Sequence, residues 1–289
     1  MRVLLTNDDG VHANGLRSLR EHLIPVFDSV VTIAPEQDCS GFARKCTYSR
    51  PVTVRRLVDG QHPIYSCDGT PTDCVRVGIL GGLGLDPNLV VSGINHGANL
   101  ADDVTYSGTV GAGLEAAVLG TSALCLSQQT PTGSFSVNYR EDLASRGLAY
   151  DFSFTAPHAA QLALGMVTAA PDLGGQPTVL SVNYPSYPSD QGITFTRPGR
   201  RDYPRASTGA WPEGVQERSL FLFGEPDQVI PDAGEPAGTD IAALRAGRIS
   251  VTPLSLGLGL GLGLAEPPKY VRSFLLRVSL GLSKGSRNA

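Results

Sequence analysis

Asp8 and Asp9 stand side by side behind a short apolar run, in Thr6-Asn7-Asp8-Asp9-Gly10. Adjacent carboxylates repel each other, which raises at least one pKa unless a cation or hydrogen-bond donors compensate; a divalent metal is the simplest compensation. Two further oxygen groups occur in polar stretches downstream, the hydroxyl of Ser40 and the amide oxygen of Asn95. With no thiol or imidazole, these four residues form a hard donor set suited to one Mg²⁺ or Mn²⁺, waters completing an octahedron. Ser107-Gly108-Thr109 opens a helical pattern, where unpaired amides and the helix dipole favour an anion and a glycine lets the backbone come close. Metal on one side and helix amides on the other describe a clamp for a phosphoryl group. Asp8, Asp9 and Asn95 are the candidate catalytic residues, and Asn95, Ser107, Gly108 and Thr109 the candidate phosphate contacts. Either aspartate could orient or deprotonate an attacking water, and residue types do not separate base from ligand.

Each feature also has a plainer use. Asn-Asp-Asp-Gly is good turn chemistry, and Ser107 is a good N-cap. Asp102 and Asp103 read as solvated loop charges, with a supporting role behind the nearby rim as the alternative, and Asp68 and Asp73 as fixing a turn and a helix start. His96 could donate to phosphate or protonate a leaving oxygen, or simply be packed. His12, His22, His62 and His158 show no metal-ligand spacing.

The elements that must position these groups alternate. Val3 to Leu5 reads as a strand buried on both faces of a parallel sheet. Leu16, Leu19 and Leu23 recur at helical spacing, with Asn14 as a cap and Pro25 as a stop. Ser29 to Ala34 is the next buried strand, and its carboxyl end puts Ser40 on the rim that carries Asp8 and Asp9. Pro51 to Val58 and Ile64-Tyr65 suggest a hairpin, and Cys67 to Leu80 a turn and a helix. Pro87 to Ser92 is a strand that delivers Asn95, and the helix after Ser107 carries Val110, Leu114, Ala117 and Val118 on one face. Ala123 to Leu126, a helix from Thr155 to Ala170, and Val179 to Val182 complete the series. This is an α/β pattern, a parallel sheet with crossover helices. From about Asn183 the alternation fades into proline-punctuated pieces, including Ile193 to Thr196 and Leu220 to Phe223. They suggest a β-rich extension that reaches over a neighbouring subunit, with a short helix at Thr239 to Ala246 and a strand at Ile249 to Thr252. Three segments follow: a metal-binding catalytic core at 1–183, the extension and oligomerisation arm at 184–254, and an atypical Leu/Gly-rich tail at 255–289.

Bulk properties exclude several classes. At 289 residues, with 41% hydrophobic and 17% charged residues, the chain is long enough for a large core and is not disordered in composition. A formal charge of -4 gives no general attraction for a nucleic acid duplex or a membrane surface. The opening apolar run is too short for a secretory leader, and no stretch approaches the roughly 18 apolar residues needed to span a bilayer, so a cytoplasmic protein is expected. Cys39, Cys46, Cys67, Cys74 and Cys125 are odd in number and form no Cys-x-x-Cys, which suggests reduced thiols. No P-loop occurs, and no Gly-x-Gly-x-x-Gly follows the first strand.

Taken in order, Leu-Leu-Thr-Asn-Asp-Asp-Gly, Ala-Pro-Glu-Gln-Asp-Cys-Ser-Gly, Gly-Thr-Pro-Thr-Asp-Cys-Val, Val-Val-Ser-Gly-Ile-Asn-His-Gly-Ala-Asn, Tyr-Ser-Gly-Thr-Val-Gly-Ala and the late Gly-Thr-Asp and Ser-Val-Thr-Pro-Leu resemble the SurE family of stationary-phase survival proteins. The resemblance covers about residues 1 to 254. It implies a Rossmann-like three-layer α/β/α core and a divalent metal held by Asp8, Asp9, Ser40 and Asn95. It further implies 5'-nucleotidase activity that hydrolyses nucleoside monophosphates, in some members also 3'-nucleotides or short polyphosphate. A homodimer or homotetramer with exchanged C-terminal arms is implied as well. Cys39 and Phe42 beside Ser40, and the Leu-Gly tail, depart from the family pattern. The competing reading from another class is a non-catalytic, metal-dependent nucleotide sensor that uses the same rim.

Overall fold

Val3 and Leu5 face one side of a sheet and Leu4 the other, and all three are buried. That two-sided burial of the first strand sets the architecture. The computed structural model describes residues 1–133, 143, 146–169, 177–188, 192–201, 213–217 and 236–255. In chain order the elements are β1 (Arg2–Thr6), α1 (Asn14–Leu23), β2 (Ser29–Pro35), β3 (Val54–Val58), β4 (Ile64–Cys67), α2 (Pro71–Leu80) and β5 (Leu89–His96). A 3-10 turn (Ala101–Thr105), α3 (Gly108–Val118), β6 (Ala123–Gln128), α4 (Thr155–Ala169), β7 (Val179–Tyr184), β8 (Ile193–Phe195), α5 (Asp240–Arg245) and β9 (Ile249–Leu254) follow.

The strands form one sheet in the order β3-β4-β2-β1-β5-β6-β7-β9-β8. From β4 to β7 every neighbouring pair is parallel; β3 and β9 run antiparallel to β4 and β7. Leu16, Leu19 and Leu23 of α1 pack with Ala156, Leu162 and Met166 of α4 on one face. Cys74 and Val75 of α2 and Val110, Ala112 and Ala116 of α3 cover the other, giving three layers and the Rossmann-like α/β fold. Two glycines permit close approach: a Cβ at Gly15 would lie 2.1 Å from the Ile94 carbonyl oxygen, and one at Gly113 2.2 Å from Cys125 Sγ.

Several expectations change in detail. The N-cap of α1 is Ala13 with no side-chain bond; Asn14 is the first helical residue and accepts from Arg17 Nη2 at 3.1 Å. The strand expected to end at Ser92 continues through His96, with a register shift against β6 between Ser92 and Asn95. Within the β-rich extension, the two strands expected at Ile193 to Thr196 and Ile249 to Thr252 join the core sheet, β9 pairing with β7 and β8 with β9. Thr239 caps α5, and α2 starts with a Thr70–Asp73 capping box, which is the helix-start role expected of Asp73. Leu220 to Phe223 and the tail from 256 lie outside the described residues.

Candidate active site

β1 is the strand from which the chain order departs in both directions, to β2 on one side and to β5 on the other. Ligands in open α/β sheets bind at such a switch point, outside the carboxyl ends of the strands. Asp8 and Asp9 leave β1 there, and Asn95 ends β5 beside it. The turn behind them needs Gly10, whose φ is +104°, and the buried Asn7 Nδ2 fixes it by donating to the Gly10 carbonyl at 3.0 Å.

Asp8 is the fixed member of the pair. Thr109 Oγ1 donates to its Oδ1 at 2.5 Å and the Thr109 backbone N–H to its Oδ2 at 3.1 Å. The carboxyl therefore sits at the positive N-terminal end of α3. Gly108 is obligatory at this contact, since a Cβ would lie 2.8 Å from Asp8 Cβ and 2.9 Å from its Oδ2. Burial first, and then the charge of Asp9, push the Asp8 carboxyl up to about 7 against the help of Thr109. That is the repulsion expected of adjacent carboxylates. Asp9 accepts the His96 backbone N–H at 3.3 Å, and its Oδ1 lies 3.5 Å from His96 Nδ1.

The Cys39 N–H donates to the Asp8 carbonyl at 2.8 Å, which anchors the loop after β2 on the rim and brings Ser40 with it. Ser40 is exposed, and its hydroxyl donates to Asp38 Oδ1 at 2.6 Å. Asn95 spends its Nδ2 on the Gly97 carbonyl at 2.8 Å, so its Oδ1 is the atom left for a metal or phosphate. The donor set fits a hard divalent cation. All of its atoms are oxygens, no group of three or more His, Cys, Asp and Glu suited to a metal occurs among the described residues, and a dication would relieve the Asp8–Asp9 repulsion.

The start of α3 is used in a way residue types did not reveal. Ser107 caps the helix by accepting from the Val110 N–H at 3.1 Å, and the Thr109 amide and hydroxyl go to Asp8. Of these first amides, that of Gly108 has no partner among the described residues and is the one suited to an outside anion. Thr109 thus serves as the holder of Asp8.

Asp102 and Asp103 are not the solvated charges expected. Asp103 is buried and ion-paired with Arg201, and Asp102 Oδ2 accepts the Arg201 N–H at 2.9 Å. Asp240 accepts from Ala101 N at 2.8 Å and from Gly199 N at 2.8 Å. Residues of the C-terminal extension thereby hold the 3-10 turn that leads into Ser107. Sequence reasoning also missed Asn99, buried with its Nδ2 on Ser127 Oγ and its backbone N–H on Asn183 Oδ1, both at 2.8 Å. The available signal was its place in the polar run after β5. Tyr150 and Phe152 were missed too, although their rings stack near His96; their spacing in a loop carries no periodic signal.

Comparison with known proteins agrees with this geometry. The family model described as Survival protein SurE matches residues 3–205. The chain is 39% identical over 260 residues to the 5'-nucleotidase SurE of Geobacter sulfurreducens, covering 89% of this chain and 88% of that protein. It is 39% identical over 277 residues to the 5'-nucleotidase SurE of Rubrobacter xylanophilus, covering 92% and 96%. The crystal structure of the SurE protein from Aquifex aeolicus aligns with a TM-score of 0.63 at 31% identity, over 94% of this chain and 98% of that one. These likenesses extend across most of the length, and the chain belongs to the SurE family.

Proposed function

We propose that this chain is a metal-dependent phosphomonoesterase, a 5'-nucleotidase that hydrolyses nucleoside 5'-monophosphates to nucleoside and phosphate. The observation that carries the reading is the buried Asp8 carboxyl, raised to about 7 beside Asp9, at the switch point of the sheet and against the first turn of α3. Strongly perturbed, paired carboxyls in such a place are a mark of functional sites. Relatives that bear the name 5'-nucleotidase SurE support the same activity.

Asp8, Asp9, Ser40 and Asn95 would hold one Mg²⁺ or Mn²⁺, and the cation supplies Lewis-acid polarisation of the phosphoryl group. The chain does the rest. Thr109 keeps Asp8 in one orientation, Asp9 lies where it can orient the attacking water or take its proton, and the Gly108 amide faces the charge that develops on phosphate oxygens. His96 is held at Asp9 within reach of the leaving side. Turnover of 3'-nucleotides and short polyphosphate, and assembly as a homodimer or homotetramer with exchanged C-terminal arms, belong to the same proposal and rest on family likeness.

Phosphate release from a panel of 5'- and 3'-nucleoside monophosphates, with Mn²⁺, Mg²⁺ or EDTA, tests it. Turnover should require metal and fall by about a hundredfold or more in Asp9→Asn. Folded protein that binds nucleotide with no turnover under any metal would instead make it a sensor.

A further inference from the structure

A base-recognition surface is the part of a nucleotidase that residue types alone did not provide. A cluster of aromatic rings lies beside the proposed metal ligands. The ring of His96, one residue after Asn95, stacks on Tyr150 with centroids 4.7 Å apart and planes at 26°. Phe152 lies 5.6 Å from His96 at 23° and 5.7 Å from Tyr150 at 4°. The three rings thus form a stack with planes within 26° of parallel. Phe152 is the buried backing, packed in the core with Ile94 and Ala156, whereas Tyr150 is only partly buried and the His96 side chain is 29% exposed.

The loop that carries Tyr150 and Phe152 is pinned to the same rim. Gln128, at the end of β6, donates through Nε2 to the Asp151 carbonyl at 2.9 Å and accepts from Thr155 Oγ1 at 2.6 Å. The Ser153 N–H returns to Asp151 Oδ1 at 2.9 Å, and the Ala156 N–H to the Phe152 carbonyl at 2.9 Å. Each ring therefore meets a ligand at little ordering cost. Core packing accounts for Phe152. Tyr150 is partly buried against the same core, and His96, which stacks on it, donates its backbone N–H to Asp9 at the polar rim.

We propose that Tyr150 and His96, backed by Phe152, form a stacking platform for the nucleobase of the substrate, with Tyr150 as a specificity-determining residue. This rests on the nucleotidase reading. Stacking uses the π-face that every base has, so the platform selects nucleotides over base-free phosphomonoesters, tolerates different bases and favours the larger purine face.

The test compares adenosine 5'-monophosphate with ribose 5-phosphate, which lacks the base, in the full-length protein with Mn²⁺. Steady-state kinetics and calorimetric binding are measured for wild type, Tyr150→Leu, Tyr150→Ser and Tyr150→Phe, each checked by thermal melting. Both non-aromatic variants should lower the ratio of kcat/KM for the nucleotide over the sugar phosphate by about tenfold, chiefly through KM, and Tyr150→Phe should restore it. An unchanged ratio in folded non-aromatic variants, or a ratio lost equally in Tyr150→Phe, overturns the platform while leaving phosphatase activity in place. If wild type turns over neither substrate but its binding of the nucleotide weakens about tenfold in Tyr150→Leu, the hydrolase reading fails and the platform stands. If that binding is unaffected, the platform fails too.

Discussion

Asp8 makes the chemistry of this site costly to keep without a cation. Its carboxyl is raised to about 7 in the folded chain, against an ordinary value of 3.8, by burial and by Asp9. Between those two pH values the folded state retains a proton that the unfolded state has released. The unfolded state then binds fewer protons, so this group's contribution to stability is fully present below about pH 4 and is lost as pH rises through about 7. In EDTA, thermal melts of wild type should therefore decline relative to Asp8→Asn across that interval, on the order of 1.4 kcal/mol per pH unit at most. Parallel curves for the two proteins would contradict the raised value. Asn at this position can accept the Thr109 N–H through its oxygen and donate its Nδ2 to Thr109 Oγ1, which keeps both contacts while removing the charge.

At the scale of elements, the close approach of α3 to β1 and the docking of the extension on the 3-10 turn govern whether the site stays in register. Gly108→Ala would drive a methyl into Asp8, whose Cβ and Oδ2 lie 2.8 and 2.9 Å from that position. Phosphate release should drop at least about tenfold with weaker apparent affinity for Mn²⁺, because overpacking is relieved only by moving the carboxyl. A metal titration of activity checks this. The Arg201–Asp103 pair is almost wholly buried, with side-chain exposures of 9% and 0%. Arg201→Ala strands a buried carboxylate and should cost about 3–5 kcal/mol by denaturant unfolding. The double variant Arg201→Ala with Asp103→Asn should be markedly less destabilised, since no buried charge is left unpaired.

For the whole molecule, a cation held by the proposed four-oxygen site in the folded state alone would stabilise every element that the rim joins: β1, β5, α3 and the loop after β2. Mn²⁺ at about 100 times its Kd should add about 2.7 kcal/mol to unfolding, with a Tm that rises with metal concentration. The rise should vanish in Asp9→Asn; a Tm indifferent to Mn²⁺ in wild type would argue against the four-oxygen site. No helix among the described residues is long and apolar enough to cross a membrane.

The strands and helices of the core were legible from residue order because both faces of the sheet are buried and each crossover helix shows its apolar stripe: Val3 to Leu5, Ser29 to Ala34, and Leu16, Leu19 and Leu23. The placement of Asp8, Asp9 and Asn95 at the carboxyl ends of strands was equally legible, since it follows from where the apolar runs stop. Partnership was not. Periodicity carries no information about which groups meet across such long stretches of chain, and only folding brought Thr109 to Asp8, Arg201 to Asp103 and Asp240 to Ala101. The same holds for Tyr150 and Phe152, whose loop shows no period. Tertiary structure decided that the amide and hydroxyl of Thr109 serve a carboxylate of the chain itself, because burying Asp8 requires donors and α3 supplies the nearest ones.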